Sequence, residues 1–179
     1  MQLLPHPDAD AGPVTRLDAS ASRGSDGGLV FHWELAADLD ALRLPAPASS
    51  RRVDGLWKHS CFEAFIGRPD EEAYLELNIA PSGEWALYRF AACRIGMAPQ
   101  PLAPPPDVRC TRRPQGLGLA ASLPPLAETD GRLCIALCAV IETRSGTMSH
   151  WALRHPPGAP DFHHAAARVL ELGPARPAD

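Results

Sequence analysis

Apolar and polar residues alternate along much of the chain, in short runs separated by turn residues. In the run 29–35, the alternation places Leu29, Phe31, Trp33 and Leu35 on one face. A period of two residues is typical of a β-strand with one buried face. Further runs that predict strands lie at 56–66, 74–79, 84–90, 117–123 and 147–155. Residues 133–141 are apolar on both faces and predict a central strand.

Proline is unusually frequent, with 20 residues in a chain of 179. Because proline removes a backbone donor and breaks long helices, this spacing favours short strands over a helical bundle. The tail 165–172 fits a helix or a closing strand, and the all-β context favours the strand. We therefore expect one domain over residues 1–179, an all-β antiparallel sandwich or jelly roll with about eight to ten strands and little helix.

Composition narrows the classes of partner. The net charge of -4 argues against a nucleic-acid-binding surface. No stretch approaches the ~20 apolar residues of a transmembrane helix, and the first residues lack the pattern of a signal peptide. The five cysteines form no CxxC pair, which predicts reduced thiols. We expect a cytoplasmic protein with neither a membrane nor a nucleic-acid partner, and the pattern leaves the oligomeric state open.

A first polar cluster lies on the predicted strand 56–66. In an extended strand, Trp57, His59, Cys61 and Glu63 share one face, and the alternate apolar residues share the other. One face is therefore suited to a core, and the other carries a ring, an imidazole, a thiol and a carboxylate.

A second polar cluster lies on the predicted hairpin around the turn 80–83. A two-residue loop would pair Asn78 with Trp85 and would place Glu76, Asn78, Trp85 and Arg89 on one face. A three-residue loop would shift the register by one residue and turn over the faces of the second strand.

A third cluster begins at Trp151 and continues into a proline-rich loop with several histidines. Aromatic faces beside planar polar side chains are what a sugar-sized ligand requires, because a ring stacks on the C–H face and the hydroxyls pair with planar groups. We predict that the three clusters converge on one ligand site. The candidate ligand-binding residues are Trp57, His59, Glu63, Glu76, Asn78, Trp85, Arg89, Trp151, His155, Asp161 and His163.

The same stretches resemble bacterial DOMON-like domain proteins. The resemblance implies an immunoglobulin-like or jelly-roll sandwich, related to sugar-binding modules of carbohydrate-binding family nine and to heme- or sugar-binding DOMON domains. It implies no known activity, although the association of this subgroup in genomes with a cell-wall-precursor reductase points to a cell-wall sugar or a nucleotide-sugar as ligand. Our leading hypothesis is a non-catalytic domain without a cofactor, whose small-molecule ligand is a carbohydrate. The stretches that carry the resemblance are LWKHSCFE (56–63), YLELN (74–78), PSGEWA (81–86), WALRHP (151–156) and PDFH (160–163).

A metal- or heme-binding domain is an alternative that uses some of the same residues. Its ligands would come from His59, Cys61, His155 and His163, although their spacing matches no compact zinc motif. Heme-binding relatives use axial Met or His ligands, and the resemblance assigns no such ligand in this chain.

An enzyme is the third hypothesis. Cys61 would be the nucleophile with His59 or His155 as its base. A carboxylate pair such as Glu63 with Asp161 would instead suit sugar hydrolysis.

Overall fold

Two antiparallel sheets account for the twelve strands of residues 1–174, the part of the chain that the computed structural model describes. The larger sheet has the spatial order β1 (Leu4–Pro5), β11 (Met148–Ala152), β10 (Leu133–Glu142), β4 (Cys61–Gly67), β5 (Tyr74–Ile79), β6 (Trp85–Phe90) and β7 (Ala98–Pro99), and β12 (Leu170–Leu172) also pairs with β10. The smaller sheet has the order β2 (Val14–Arg23), β3 (Leu29–Ala37), β9 (Gly116–Leu123) and β8 (Asp107–Arg113). Residues 175–179, the end of the predicted domain 1–179, lie outside the described residues.

Helix is confined, within the same 174 residues, to four 3-10 turns. They are η1 (Leu39–Ala41), η2 (Leu56–Lys58), η3 (Ala127–Thr129) and η4 (Ala165–Ala167). None of the helices in this range is long and apolar enough to cross a membrane. The predicted all-β sandwich with little helix is confirmed.

The sandwich core lies between the inner faces of the two sheets. The smaller sheet contributes Phe31 and Trp33, and the larger sheet contributes Phe62 and Leu77, all without solvent exposure. Trp33 packs against Phe62 with ring centroids 6.0 Å apart. The predicted buried face of the run 29–35 is confirmed.

The outer face of the larger sheet is also buried along its central strands. Every residue of β4 and β5 is buried, which shows that neither face of these strands is left to solvent. A second apolar cluster, which includes Phe65, Tyr74, Phe90 and Phe162, covers this outer face. The predicted central position of β10 is confirmed, since it pairs with β11 on one side and with β4 on the other.

The alternation missed two strands of the smaller sheet. In β2 the pairing register shifts between Val14 and Arg16, and this bulge breaks the period of two that a pattern search requires. In β8 most side chains are exposed because it is the last strand of its sheet, so the polar residues hide the alternation. The tail, by contrast, follows the expectation, because β12 is a closing strand.

The hairpin between β5 and β6 has the longer of the two loops considered. Ile79 pairs with Trp85 and Asn78 pairs with Ala86, so the loop holds three residues, Pro81, Ser82 and Gly83. The register that places Trp85 beside Asn78 on the site face is therefore wrong. The second strand is turned over, and its site face carries Ala86, Tyr88 and Phe90 instead.

The strand predicted from residue 56 begins only at Cys61. Trp57 instead lies in η2, and His59 follows that turn as an exposed residue. The single extended face that would carry Trp57, His59, Cys61 and Glu63 together does not form, although Cys61 and Glu63 do share the outer face of β4.

Candidate functional site

A cleft of about 350 Å³ opens on the outer face of the larger sheet, and we call it the outer cleft. Strands β4, β5 and β10 form its floor, while η2, the 91–97 turn and the loop before η4 form its walls and roof. Its lining residues are Trp57, Glu63, Phe65, Glu76, Phe90, Arg94, Met97, Val140, His150, Pro160, Phe162 and His163.

Larger concavities occur elsewhere on the surface, and one of about 710 Å³ lies beside Arg68, Glu71 and Arg89. The outer cleft differs from it in chemistry, because two buried carboxyl groups lie in its floor among aromatic rings. Its volume also lies within the range of about 300–1,000 Å³ that is usual for small-molecule sites. It is therefore the candidate site.

The two carboxyl groups of the floor are placed by strand register. Glu63 on β4 lies opposite Asn78 on β5, and Phe65 lies opposite Glu76. Glu63 and Glu76 are thus diagonal neighbours on one face of adjacent strands, with exposures of 3% and 4%. Asn78 is fully buried between them and donates from Nδ2 to Oε1 of Glu76 at 2.6 Å.

Glu63 has an unsatisfied oxygen. Its Oε1 is buried and finds no hydrogen-bond partner among residues 1–174. Buried polar atoms in folded proteins are almost always paired, so an orphan of this kind calls for an explanation. A ligand group that donates a hydrogen bond would supply one.

Burial controls the protonation of the floor. It raises the pKa of Glu63 well above its usual value, and the neighbouring Glu76 raises it further. Burial also raises the pKa of Glu76, although the hydrogen bond from Asn78 partly offsets this. Burial therefore shifts both carboxyl groups toward the protonated form, which donates as well as accepts hydrogen bonds.

His163 forms part of the roof and is held by two partners. Its Nδ1 lies 2.7 Å from the hydroxyl of Tyr74, and its Nε2 lies 3.8 Å from Oε2 of Glu76. Burial, reinforced by the charge of Arg94, lowers the pKa of His163 to about 4. The imidazole is then neutral at pH 7, so Nδ1 accepts the proton of Tyr74 and the Nε2–H is directed toward Glu76.

Arg94 and Asp161 hold the roof to the 91–97 turn. Nη2 of Arg94 donates to Oδ1 of Asp161 at 2.9 Å, and the same carboxylate oxygen accepts the backbone N–H of His163 at 3.1 Å. Arg94 adopts a left-handed backbone with φ of 58°, which is uncommon outside glycine. Its backbone N–H donates to the hydroxyl of Tyr74 at 3.2 Å, so turn and roof share one hydrogen-bonded network.

Trp57 provides the aromatic wall. It is half-buried, and its ring meets Tyr88 edge-on with centroids 5.7 Å apart. The hydroxyl of Tyr88 donates to Asp54, and the guanidinium of Arg52 lies 5.1 Å from the centre of its ring. Tyr88 thereby connects Trp57 to strand β6, which pairs with the floor strand β5.

The structure brings part of the predicted set together. Trp57, Glu63, Glu76 and His163 line the outer cleft, and Asn78 and Asp161 act one step behind it through the hydrogen bonds described above. The expectation that the first, second and third clusters meet thus holds for these six residues, while their ligand-binding role stays a prediction.

The remaining candidates lie elsewhere. Trp85 and Trp151 are 5% and 3% exposed and pack in the sandwich core, where Nε1 of Trp151 donates to Ser149. Arg89 is exposed beside the separate concavity of about 710 Å³. These three side chains lie outside the site because of the strand register. The pairing places Trp85 and Arg89 on the other face of β6, and it places Trp151 opposite Ala139 on the core face of β10.

His59 and His155 also lie outside the cleft. Nδ1 of His59 is 2.8 Å from Oε2 of Glu142, on an exposed surface. Nε2 of His155 is 2.9 Å from the carbonyl oxygen of Leu4 in β1. Neither histidine contributes to the lining, and His155 touches the roof only through Phe162, at a ring distance of 6.4 Å.

Several lining residues escaped the sequence analysis. The hairpin pattern predicts Phe90 on the same core face as Leu75 and Leu77, and this is wrong because the three-residue loop turns Phe90 to the outer face. Phe65 shares the outer face of β4 with Glu63, but its apolar ring gave no signal for a ligand site. Arg94, Met97, His150 and Phe162 lie in turns or short strands whose approach to the cleft depends on long-range packing. The one available signal was the proline-stiffened loop, which does form the roof.

The metal alternative finds no support. Within residues 1–174, no three His, Cys, Asp or Glu side chains are arranged to hold a metal ion. His59 and Cys61 lie at one end of β4, whereas His163 contacts Tyr74, which pairs with Gly67 at the other end. Burial raises the pKa of Cys61 well above its usual value, so its thiol is also poorly suited to act as a nucleophile.

Three solved structures resemble the fold. One is a protein from Bacteroides uniformis that is provisionally described as carbohydrate-binding, with a TM-score of 0.66 and 13% identity over 88% of this chain and 78% of that chain. A carbohydrate-binding module of family 9 from Caldicellulosiruptor kristjanssonii, in complex with glucose, has a TM-score of 0.54 and 12% identity over 93% and 78% of the two chains. The same kind of module in complex with cellotriose has a TM-score of 0.53 and 13% identity over 97% and 81%.

At these identities the likeness shows the fold alone, a β-sandwich like that of family 9 modules. No family model matches the chain, and no curated protein matches it significantly.

Proposed function

We propose that this chain is a non-catalytic module that binds a carbohydrate in the outer cleft. The observation that carries the proposal is the pairing of a half-buried Trp57 ring with two buried carboxyl groups, one of which has an orphaned oxygen. A sugar ring offers a C–H face to an indole and hydroxyl donors to a carboxyl oxygen. The fold it shares with modules solved in complex with glucose and cellotriose supports the same ligand class.

The finer parts of the proposal rest on the resemblance to DOMON-like proteins. We propose a bacterial, cytoplasmic protein that binds a cell-wall sugar or a nucleotide-sugar and needs neither metal nor heme. The acidic composition supports the absence of a nucleic-acid partner.

Titration calorimetry with glucose and cellotriose tests the proposal, with Trp57→Ala as the diagnostic variant. Loss of a stacking ring removes about 1–3 kcal/mol where a flat ligand is bound, by analogy with base stacking. We therefore expect Trp57→Ala to weaken binding about tenfold or more. Arg89→Ala, an exposed residue outside the cleft, is the matched control and should bind as the wild type does.

Absence of binding to either sugar and to a panel of cell-wall glycans would contradict the proposal. Equal affinity of the wild type and Trp57→Ala would place the site elsewhere on the surface.

Two carboxyl groups in one cleft are also the minimum equipment of a glycoside hydrolase, and burial raises the pKa of both here. Incubation with cellotriose and with chitin and chitosan trimers, followed by chromatography of reducing ends, separates binding from hydrolysis. We expect intact oligosaccharides, and products that disappear in Glu63→Gln would make the domain an enzyme.

A further inference from the structure

The charge that faces the outer cleft is acidic. From the floor, Glu63 and Glu76 face it, and from the walls and roof only Arg94 brings a permanent positive charge. That charge is matched by Asp161 at 2.9 Å. Desolvation lowers the pKa of His150 on β11 and of His163 in the roof, and so keeps both imidazoles neutral at pH 7. The charge of Arg94 also partly offsets the burial that raises the pKa of Glu76, whereas none of the lining residues supplies a cationic partner for Glu63.

The walls around these carboxyl groups are aromatic. Trp57, Phe65, Phe90 and Phe162 all line the outer cleft, and Phe65 lies directly opposite Glu76 in the strand pairing. The face of an aromatic ring carries negative charge density and attracts cations within about 6 Å, most strongly in tryptophan. An organic ammonium group is the cation that gains from rings and carboxyl groups together.

A metal ion fits this surrounding poorly. Magnesium and calcium require about six or more oxygen ligands, and zinc requires about four nitrogen, sulfur or oxygen ligands. The cleft offers two carboxyl groups backed by rings, and no group of three potential ligand side chains exists within residues 1–174. An ammonium group, with its three donors and a carbon substituent, needs fewer oxygens.

We infer that the outer cleft recognises a protonated amino group through Glu63 and Glu76, and that its ligand is a sugar with a free amino group. The sugar part of this inference rests on the proposed function, whereas the ammonium part rests on the cleft alone. The carboxyl group of Glu63, which lines the cleft and has an unpaired oxygen, accepts one N–H, and Glu76 accepts a second beside its hydrogen bond from Asn78. The rings hold the remaining face of the ammonium group, and the sugar ring stacks on Trp57.

The number of protons released on binding distinguishes an amino sugar from a neutral sugar. Burial raises the pKa of Glu63 and so favours its protonated form, whereas a bound cation favours the carboxylate. Binding of an amino sugar therefore releases a proton to solvent, whereas a neutral sugar leaves the carboxylic acid intact. Calorimetry in two buffers that differ in ionisation enthalpy measures the number of protons released.

The experiment compares glucosamine, glucose and N-acetylglucosamine, and their β-1,4 trimers, at one pH and ionic strength. We expect the amino sugars to bind at least tenfold more tightly than the neutral ones, with proton release only in their case. Glu63→Gln should abolish both the preference and the proton release. Glu71→Gln removes an exposed carboxylate outside the cleft and should keep them, and thermal unfolding verifies that both variants fold.

The possible failures are distinguishable. Neutral sugars that bind as tightly as glucosamine would overturn the inference and leave the proposed function standing. If ethanolamine binds as tightly as glucosamine and neutral sugars do not bind, the cleft is an ammonium site and the proposal of a carbohydrate ligand is wrong. Absence of binding to every probe would overturn both.

Discussion

At the scale of single residues, burial of Glu63 has a cost in folding free energy. Its carboxyl group is buried in the floor of the outer cleft, and Oε1 has no partner within residues 1–174. Isolated buried polar atoms cost about 1–3 kcal/mol each. A packed apolar side chain at this position would stabilise the fold more, and on the proposed function a hydrogen-bond donor of the ligand would offset the cost of Glu63.

Glu63→Gln tests this cost through its pH dependence. Because the pKa of Glu63 is raised in the folded state, the stability it contributes is present below the unfolded value of about 4.3 and is lost as pH rises through the folded value. Glutamine does not ionise, so between pH 4 and pH 8 the variant should gain stability relative to the wild type, by about 1.4 kcal/mol for each pH unit by which burial raises the pKa of Glu63. Urea unfolding at the two pH values measures the difference, and a constant difference would contradict a buried, protonated Glu63.

His163 provides a second prediction at this scale. Its pKa is lowered to about 4, so its neutral form contributes stability above about pH 6.5, and that stability is lost as pH falls toward 4. A ring-proton NMR titration should show an imidazole that stays neutral to about pH 4. In Tyr74→Phe the hydrogen bond to neutral Nδ1 is removed, so the pKa should rise. A midpoint near 6.5 in the wild type would contradict the contacts of the roof.

At the scale of elements, the hairpin shows what sequence can and cannot predict. The turn residues predict a hairpin at 80–83, but the loop length decides which face of β6 lies on the side of the outer cleft. The structure has a three-residue loop that ends at Gly83, whose φ of 95° suits glycine. One residue of register exchanges Trp85 for Ala86 and Tyr88, and residue types alone do not distinguish the two loops.

Trp85→Ala follows from that register. Because Trp85 packs in the sandwich core, its truncation should cost about 3–5 kcal/mol of stability, measured by urea unfolding. Trp57→Ala is the matched control on the cleft side and should cost less, since its ring is half-buried. If the Trp85→Ala protein is stable but has lost ligand affinity, Trp85 faces the cleft and the hairpin has the two-residue loop.

Among the other elements, some strands are predicted by the sequence pattern and others are not. Regular alternation predicted β3 and β9, and the doubly apolar run predicted β10 as a central strand. The bulge in β2 and the exposed end position of β8 hid those strands. Trp57 was placed in a strand that begins only at Cys61, because aromatic and apolar side chains suit a 3-10 turn against a sheet as well as they suit a strand.

At the scale of the whole molecule, the outer cleft exists because the larger sheet is covered on both faces. The smaller sheet packs on its inner face, and the segments 56–58, 91–97 and 160–163 cover its outer face. The covering segments are separated in sequence, so no local pattern predicts where they meet. Local sequence patterns therefore predict residues of the floor and part of the roof, whereas the position of the walls depends on long-range packing.

This arrangement predicts that ligand and stability are coupled. The roof contacts the floor through His163 and Tyr74, and a bound ligand adds contacts that exist only in the folded chain. A ligand at 100 times its Kd then stabilises the fold by about 2.7 kcal/mol. For a chain of this size, 1 kcal/mol shifts the melting temperature by about 2–4 °C, so we expect a rise of roughly 5–10 °C.

Thermal unfolding of the wild type at increasing concentrations of glucosamine trimer measures this rise in melting temperature. Trp57→Ala should require about tenfold more ligand for the same rise, while Arg89→Ala should follow the wild type. If the melting temperature is independent of ligand in a protein that calorimetry shows to be saturated, the ligand binds the unfolded chain equally well and the cleft is not its site.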